Sequence, residues 1–326
     1  MDDCQYWTLA NLTQFVEPTC HLLKSCEQPV QVVMMIMIMM MIMMMIMMMI
    51  MMMIMMMIMI IMNVPQAFQI PEEKEKFLQF AKEHPDMMFV QKNNNHRGIR
   101  IEKMEKLNLD DEGSFIQEFI HNPLMVDGYK FDIGIYTTLT SVDPLRIYVH
   151  YNDVLLRFCP TKYHPFDPED RDKYVVGDDY LPSWEVPSFT KYMDDKAGFS
   201  FRDTLNAYIT NSMKMDPNKM WDEIYNTIVE VYQNTETHFA KAVRNYPHRD
   251  AFFEMVRFDF VIDDELNVYL MEANMSPNLS SAHFSANAGL YEEVVDALLR
   301  LVGVVGVGQG GNTEAVRDKA GVNKMQ

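Results

Sequence analysis

The chain has 326 residues, 48% of them hydrophobic, and a formal net charge of -18 at pH 7. That length suits one large domain or two modest ones, with enough apolar residues for a real core. The acidic balance argues against a nucleic-acid partner, since duplex binding rests on Lys and Arg neutralising phosphates, and mildly against an acidic protein substrate unless basic residues gather in one groove.

Residues 1–33 read as a segment outside the globular part and are expected to be disordered. They hold three of the four cysteines, Cys4, Cys20 and Cys26, with Cys159 further on. No CxxC spacing or dense framework is present, which points to free thiols in a reducing compartment and no zinc site. Residues 34–62 contain only Met and Ile. This tract is longer than the roughly 20 apolar residues that span a bilayer as a helix. It reads either as a single membrane anchor or as a translated nucleotide repeat from a flawed gene model. As an anchor it would leave the C-terminal side cytosolic, because Lys74, Lys76 and Lys82 follow it whereas Lys24 alone precedes it closely.

The mixed-charge stretch Glu72 to Glu83, with Phe77, Leu78 and Phe80, predicts a helix ending before Pro85. Short strands are expected over Met88 to Lys92 and Phe115 to Ile120. From Lys130 to Thr140 residues alternate, with Phe131, Ile133, Ile135 and Leu139 on one face and Lys130, Asp132, Tyr136 and Thr138 on the other. Arg146 to Tyr151 and Val154 to Phe158 flank Asn152-Asp153, which reads as a hairpin turn. Tyr163 to Ser188 is a long loop rich in Pro, Asp and Tyr. Asp216-Pro217 then starts a helix, with Asp as cap and Pro at the first helical position. Its buried stripe is Ile224, Ile228, Val231 and Phe239, and it runs to about Val243. A strand pair and a helix over Tyr291 to Val302 close the domain, and the Gly-rich polar tail 303–326 is expected to be disordered. Antiparallel strands with helices to the side give an α+β class.

The sharpest chemical feature is the run Phe258 to Asn274, two apolar strands around the polar Asp264-Glu265-Leu266-Asn267. A turn over those four residues puts Asp259 directly opposite Glu272, and strand alternation places Asn274 on the face of Glu272. Two carboxylates facing each other repel, and a hard divalent cation such as Mg2+, which prefers oxygen ligands, removes that repulsion. The plainer reading is a solvated sheet face. A basic group accompanies the hairpin. Lys92 ends a strand before the polar loop Asn93 to Gly98, Lys130 shares a strand face with Asp132, and Arg157 follows. Together these suit nucleotide phosphates beside a metal.

Phe89-Val90-Gln91-Lys92, Arg97-Gly98-Ile99, Gln117-Glu118-Phe119-Ile120, Asn122-Pro123-Leu124, Asp127-Gly128-Tyr129-Lys130-Phe131-Asp132, Asp143 to Tyr148 and Met271-Glu272-Ala273-Asn274-Met275-Ser276-Pro277 follow in order over residues 87–302. In this order they resemble the tubulin–tyrosine-ligase-like family. The resemblance implies an ATP-grasp-like fold over residues 72–302, antiparallel sheets with flanking helices, that uses ATP and Mg2+. By carry-over, Lys92 and Lys130 hold phosphates, and Gln117 with the backbone of Glu118, Phe119 and Ile120 binds adenine. Asp132 and Arg157 face the amino-acid or phosphate region, while Asp259, Glu272 and Asn274 hold magnesium.

The implied activity joins a free amino acid to a carboxylate of a tubulin tail, α or β, through an acyl phosphate. The motifs look most like the polyglutamylase branch, so glutamate is the expected amino acid and a cytoplasmic, microtubule or cilium address follows. Departures from the family pattern support an alternative, a catalytically inactive member, with or without a membrane anchor, that binds tubulin or another protein. The family strand reads Lys-Phe-Asp-x-Arg, and here Gly134 stands where that arginine is expected. Asn93 and Arg100 replace residues of the phosphate loop, the His-Leu-Thr-Asn signature is absent, and the Met/Ile tract occupies the place of an N-terminal lobe with a further lysine.

Overall fold

The computed structural model describes residues 63–93, 99–177, 179–193, 200–244, 246, 252–282 and 284–303, with the backbone of 316–317 and 323–325. These residues lie in a compact unit bounded by Met53 and Gln326. The expectations for residues 1–33, the tract 34–62, the loop 94–98 and most of the tail therefore fall outside the described residues. Among the described residues no helix is long and apolar enough to cross a membrane.

The first sheet has four strands. β1 (Ala67–Ile70) precedes α1 (Lys74–Glu83), and β2 (Phe89–Asn93), β3 (Arg100–Glu102) and β4 (Ser114–Glu118) complete the order β1-β4-β2-β3. Its two faces bury different sets because strand side chains alternate. Phe68, Ile70, Phe89 and Ile116 pack on Phe77 and Ala81 of α1. Val90 and Ile101 pack on Phe119, which directly follows β4, and on Tyr163 and Tyr174 from the long segment after residue 158. Rings of Phe77 and Phe89 meet edge-on at 5.0 Å between centroids, a geometry that aromatic quadrupoles favour.

The second sheet grows around one strand. β5 (Met125–Val126) turns through Asp127-Gly128, both with positive φ, into β6 (Tyr129–Val142). A two-residue turn with both φ values positive matches the natural twist of the strands it joins. β7 (Leu145–His150) pairs with the later part of β6 and β8 (Leu155–Phe158) with its earlier part, on the same edge. Asn152-Asp153 is thus not a hairpin turn. The strands it joins do not pair with each other, and Asp153 is a corner residue instead. Its buried carboxylate accepts from the Val154 and Arg202 N–H groups at 2.9 and 3.0 Å and from Ser200 Oγ at 3.2 Å. That carboxylate ties the corner to a helix that sequence periodicity had not shown, described next.

β9 (Leu181–Pro182) pairs with β8, followed by α2 (Pro187–Thr190) and α3 (Phe201–Tyr208). α4 (Asn218–Val243) begins one residue later than expected, with Pro217 at the cap and Asp216 accepting from the Asn218 N–H at 3.0 Å. The stripe Ile224, Ile228, Val231 and Phe239 is buried as the helical spacing requires. β10 (Glu254–Ile262) and β11 (Val268–Met275) complete the order β11-β10-β6-β7, and α5 (Ala288–Leu301) follows. The backbone of β13 (Asn323–Met325) runs parallel to β7, with β12 (Val316–Arg317) beside it.

Both faces of β6 are covered. Thr137 Oγ1 lies 2.8 Å from the Tyr232 hydroxyl of α4, while Tyr136 on the opposite face meets Tyr291 of α5 at 6.4 Å between rings. The polar side chains on the Tyr136 face are therefore enclosed between layers. These antiparallel sheets with flanking helices bear out the ATP-grasp-like α+β expectation.

Candidate functional site

Asp259 and Glu272 pair across β10 and β11, as the sequence suggested, but by a different route. The loop between the strands is one residue shorter than supposed. Asp263 N–H bonds to the Asn267 carbonyl at 3.0 Å, and Leu266 takes a φ of 66°. Asp263 fixes this loop by accepting from the Glu265 and Asn267 N–H groups at 3.0 and 2.8 Å. A bulge between Asp259 and Phe260 then shifts the register: Phe260 pairs with Leu270, whereas Asp259 pairs with Glu272. The extra residue is Met271, and it restores the pairing that a longer turn would have produced.

Asn274 stands between the two acids. Its Nδ2 donates to Asp259 Oδ2 at 2.8 Å and to Glu272 Oε1 at 2.9 Å. An amide NH2 between two carboxylates occupies the place where a cation would balance them, and half a turn of the amide presents its oxygen instead. Two carboxylate oxygens and an amide oxygen form a hard donor set that fits Mg2+, which completes its shell with water and phosphate. Among the described residues no group of three or more His, Cys, Asp and Glu could hold a metal, so any cation here relies on the amide and on its other ligands.

Around this hairpin lies a network of ions from adjacent strands. Arg157 donates from Nε and Nη2 to the two oxygens of Asp132 at 3.0 and 2.8 Å, the bidentate geometry in which guanidinium binds carboxylate best. The same Nη2 reaches Asp259 Oδ2 at 2.9 Å. Burial pushes the Asp132 carboxyl up, and Arg157 works against it. Arg257, which the sequence reading did not single out, donates to Asp259 Oδ1 and Oδ2 at 2.7 and 2.8 Å. Burial disfavours its charge, but Asp259 outweighs that and holds it protonated. The signal for it lay in strand alternation: residue 257 shares the face of residue 259, in a strand that is otherwise apolar there.

The lysines arrive from both sheets. Lys92 on β2 donates to Gln117 Oε1 on β4 at 3.2 Å, and its Nζ sits 5.6 Å from the Phe115 ring centre. Burial lowers its pKa, Glu272 raises it, and Lys130 lowers it further. Glu272 of the second sheet thus feels a lysine of the first. Lys130 is buried beside Asp132.

The supposed adenine-binding stretch is only partly available. The N–H of Glu118 bonds to the Gln66 carbonyl at 2.8 Å and that of Phe119 to Met88 at 3.1 Å. The Phe119 ring turns away onto Phe166 and Tyr174. Gln117 is buried, and its Oε1 faces Lys92. Of the expected residues, Asp132, Arg157, Asp259, Asn274 and Glu272 are joined by hydrogen bonds in one network, Lys130 acts on Asp132, and Lys92, bonded to Gln117, feels the charge of Glu272.

The family model described as the tubulin-tyrosine ligase family matches residues 27–309. The chain is 49% identical over 241 residues to the "probable tubulin polyglutamylase ttll-15" of Caenorhabditis elegans, covering 74% of this chain and 47% of that protein. It is 30% identical over 210 residues to tubulin polyglutamylase TTLL6 of Mus musculus, covering 62% of this chain and 24% of the relative. To the tubulin monoglutamylase TTLL4 of Mus musculus it is 27% identical over 249 residues, or 74% of this chain and 20% of that one. The chain spans less than half the length of each of these relatives. The order of motifs, the paired sheets and the family match together place the chain in the tubulin-tyrosine ligase family.

Proposed function

We propose that this chain is the nucleotide- and metal-binding part of an ATP-dependent ligase that adds glutamate to tubulin. The observation that carries this reading is the Asp259–Glu272 pair across β10 and β11, with Asn274 bonded to both acids and Arg157 and Arg257 beside it. This acid–amide hairpin, with Lys130 buried on the neighbouring strand and Lys92 close enough to feel Glu272, suits a triphosphate and its metal. Relatives named as tubulin polyglutamylases and a monoglutamylase favour tubulin as acceptor and glutamate as the free amino acid.

In this reading Lys92 and Lys130 bind phosphates, and Gln117 with the 118–120 backbone borders the adenine. Asp259, Glu272 and Asn274 would hold Mg2+, which when bound neutralises charge on the phosphates. An acceptor carboxylate oxygen attacks the γ-phosphorus, the bond to the bridging oxygen breaks, and ADP leaves. The amine of glutamate then attacks the acyl carbon, a proton is lost from nitrogen, and inorganic phosphate departs as the amide forms. Arg157, held by Asp132, lies on the same network to receive anionic groups. A microtubule address follows from the acceptor.

The test is incubation of the full chain with tubulin, Mg-ATP and labelled glutamate. Label on the tubulin tails is the expected result. Folded protein that binds ATP and transfers nothing contradicts the activity and leaves the non-catalytic, tubulin-binding alternative.

A further inference from the structure

Gly134 lies in the interior of β6, opposite Asp259 of β10. A Cβ at this position would come within 2.9 Å of Arg257 Cδ, 3.3 Å of Asp259 Oδ1 and 3.3 Å of Leu155 Cβ. Glycine inside a strand marks a close approach, and here the approaching group is the Arg257 stem. Arg257 itself pairs with Tyr136, so its side chain must lean along the sheet across Gly134 to reach Asp259. Any other residue at 134 would block that path.

Neutralising Asp259 does not by itself account for this arginine. Arg157 already donates to Asp259 while holding Asp132, and Lys92 and Lys130 act on Glu272 and Asp132. Two guanidinium groups thus converge on the one Asp259 carboxylate, which takes only two of the five N–H donors of Arg257. A second feature points the same way. The buried Tyr136 hydroxyl lies within reach of Arg257 and has no other hydrogen-bond partner among the described residues. Nearby, Asn287 Nδ2 donates to the Tyr180 hydroxyl at 2.6 Å, and Tyr180 and Tyr291 both sense Arg157. Phenols around a guanidinium pair suit a small carboxylate, which accepts from both kinds of donor.

We propose that Arg257, admitted by Gly134, is a specificity-determining residue that receives a carboxylate of the incoming dicarboxylic amino acid. This rests on the ligase reading above. Arg257 contacts the amino acid, and the lysines across the site contact the nucleotide.

The experiment follows thermal unfolding of the full chain with Mg2+ and a non-hydrolysable ATP analogue, then with L-glutamate added. The variants are Arg257→Ala, Arg257→Lys and the exchange Gly134→Arg/Arg257→Ala. Wild type should shift with nucleotide and again with glutamate. At a nucleotide concentration that saturates each protein, Arg257→Ala should need at least about tenfold more glutamate, the scale of one lost charge-assisted contact. The exchange should recover part of the glutamate response, because a guanidinium then rises onto Asp259 from strand β6. If Arg257→Ala does not fold, Arg257→Lys keeps the charge, loses the fork, and should still weaken glutamate alone. A glutamate response unchanged in the folded variants overturns the assignment, as does a wild type that binds nucleotide and ignores glutamate. A wild type that does not shift with nucleotide overturns the ligase reading and this inference with it.

Discussion

Asp259 and Glu272 sit directly opposite each other on β10 and β11, and the single NH2 of Asn274 donates to both. That donor holds together two like charges that would otherwise repel. The arrangement makes Asn274 sensitive to substitution in a way that depends on metal.

Replacing Asn274 by Asp removes the donor and adds a third carboxylate beside two others. Without Mg2+ the variant should lose at least about 1–3 kcal/mol, the usual cost of leaving a buried acceptor without its donor, which is larger for charged groups. With Mg2+ it should gain more stability than wild type does, because three carboxylates then face one cation. Denaturant unfolding with and without Mg2+ checks this. Equal stability of the two proteins in both conditions would contradict the proposed cation site.

Glu254 at the start of β10 gives a pH signature. Burial pushes its carboxyl up to about 8, against a hydrogen bond from the Ser276 N–H. The folded chain therefore keeps a proton that the unfolded chain has lost. This contribution is greatest at low pH and declines as pH rises towards about 8, by no more than about 1.4 kcal/mol per pH unit. Asp153, pushed up to about 6, has the same sign in a lower window. His150, held near 4 by burial, has the opposite effect below its ordinary 6.5. Between pH 6.5 and 8 Glu254 should therefore dominate among these three. Melting temperatures of wild type should fall across that window relative to Glu254→Gln, and parallel curves would contradict the assignment.

Much of the fold was legible because it is written in local periodicity. The stripe on α4 and the alternation along β6 follow from spacing alone. α3 was missed because eight residues hold barely two turns, and its N-terminus is fixed by Asp153 from a distant corner. β7 and β8 were joined as a hairpin because Asn-Asp is a good turn pair. Their true partner, β6, is long enough to pair with both, and no local pattern shows that.

The site was legible for a mixed reason. The acid pairing was reached through a turn one residue too long, and the bulge at Met271 compensated for that error. Lys92, Lys130, Asp132 and Arg157 were suggested by type and order. Arg257 was not, because its importance depends on Gly134, and a glycine in a strand does not reveal what crosses it.

The most direct test of the account is ATP affinity of the full chain, with and without Mg2+, beside Asp259→Asn/Glu272→Gln. These substitutions keep side-chain volume but turn one oxygen of Asp259, which accepts from Arg157, Arg257 and Asn274, into a donor, so the unfolding curve of the double variant is recorded beside its affinity. The account predicts ATP binding that needs Mg2+ and weakens by at least about tenfold in the double variant, the scale of losing charged ligands to a metal–phosphate group. Folded wild-type protein that binds no ATP, or that binds it equally without Mg2+ and in the double variant, would contradict the claim that this hairpin is the metal–nucleotide site of a ligase.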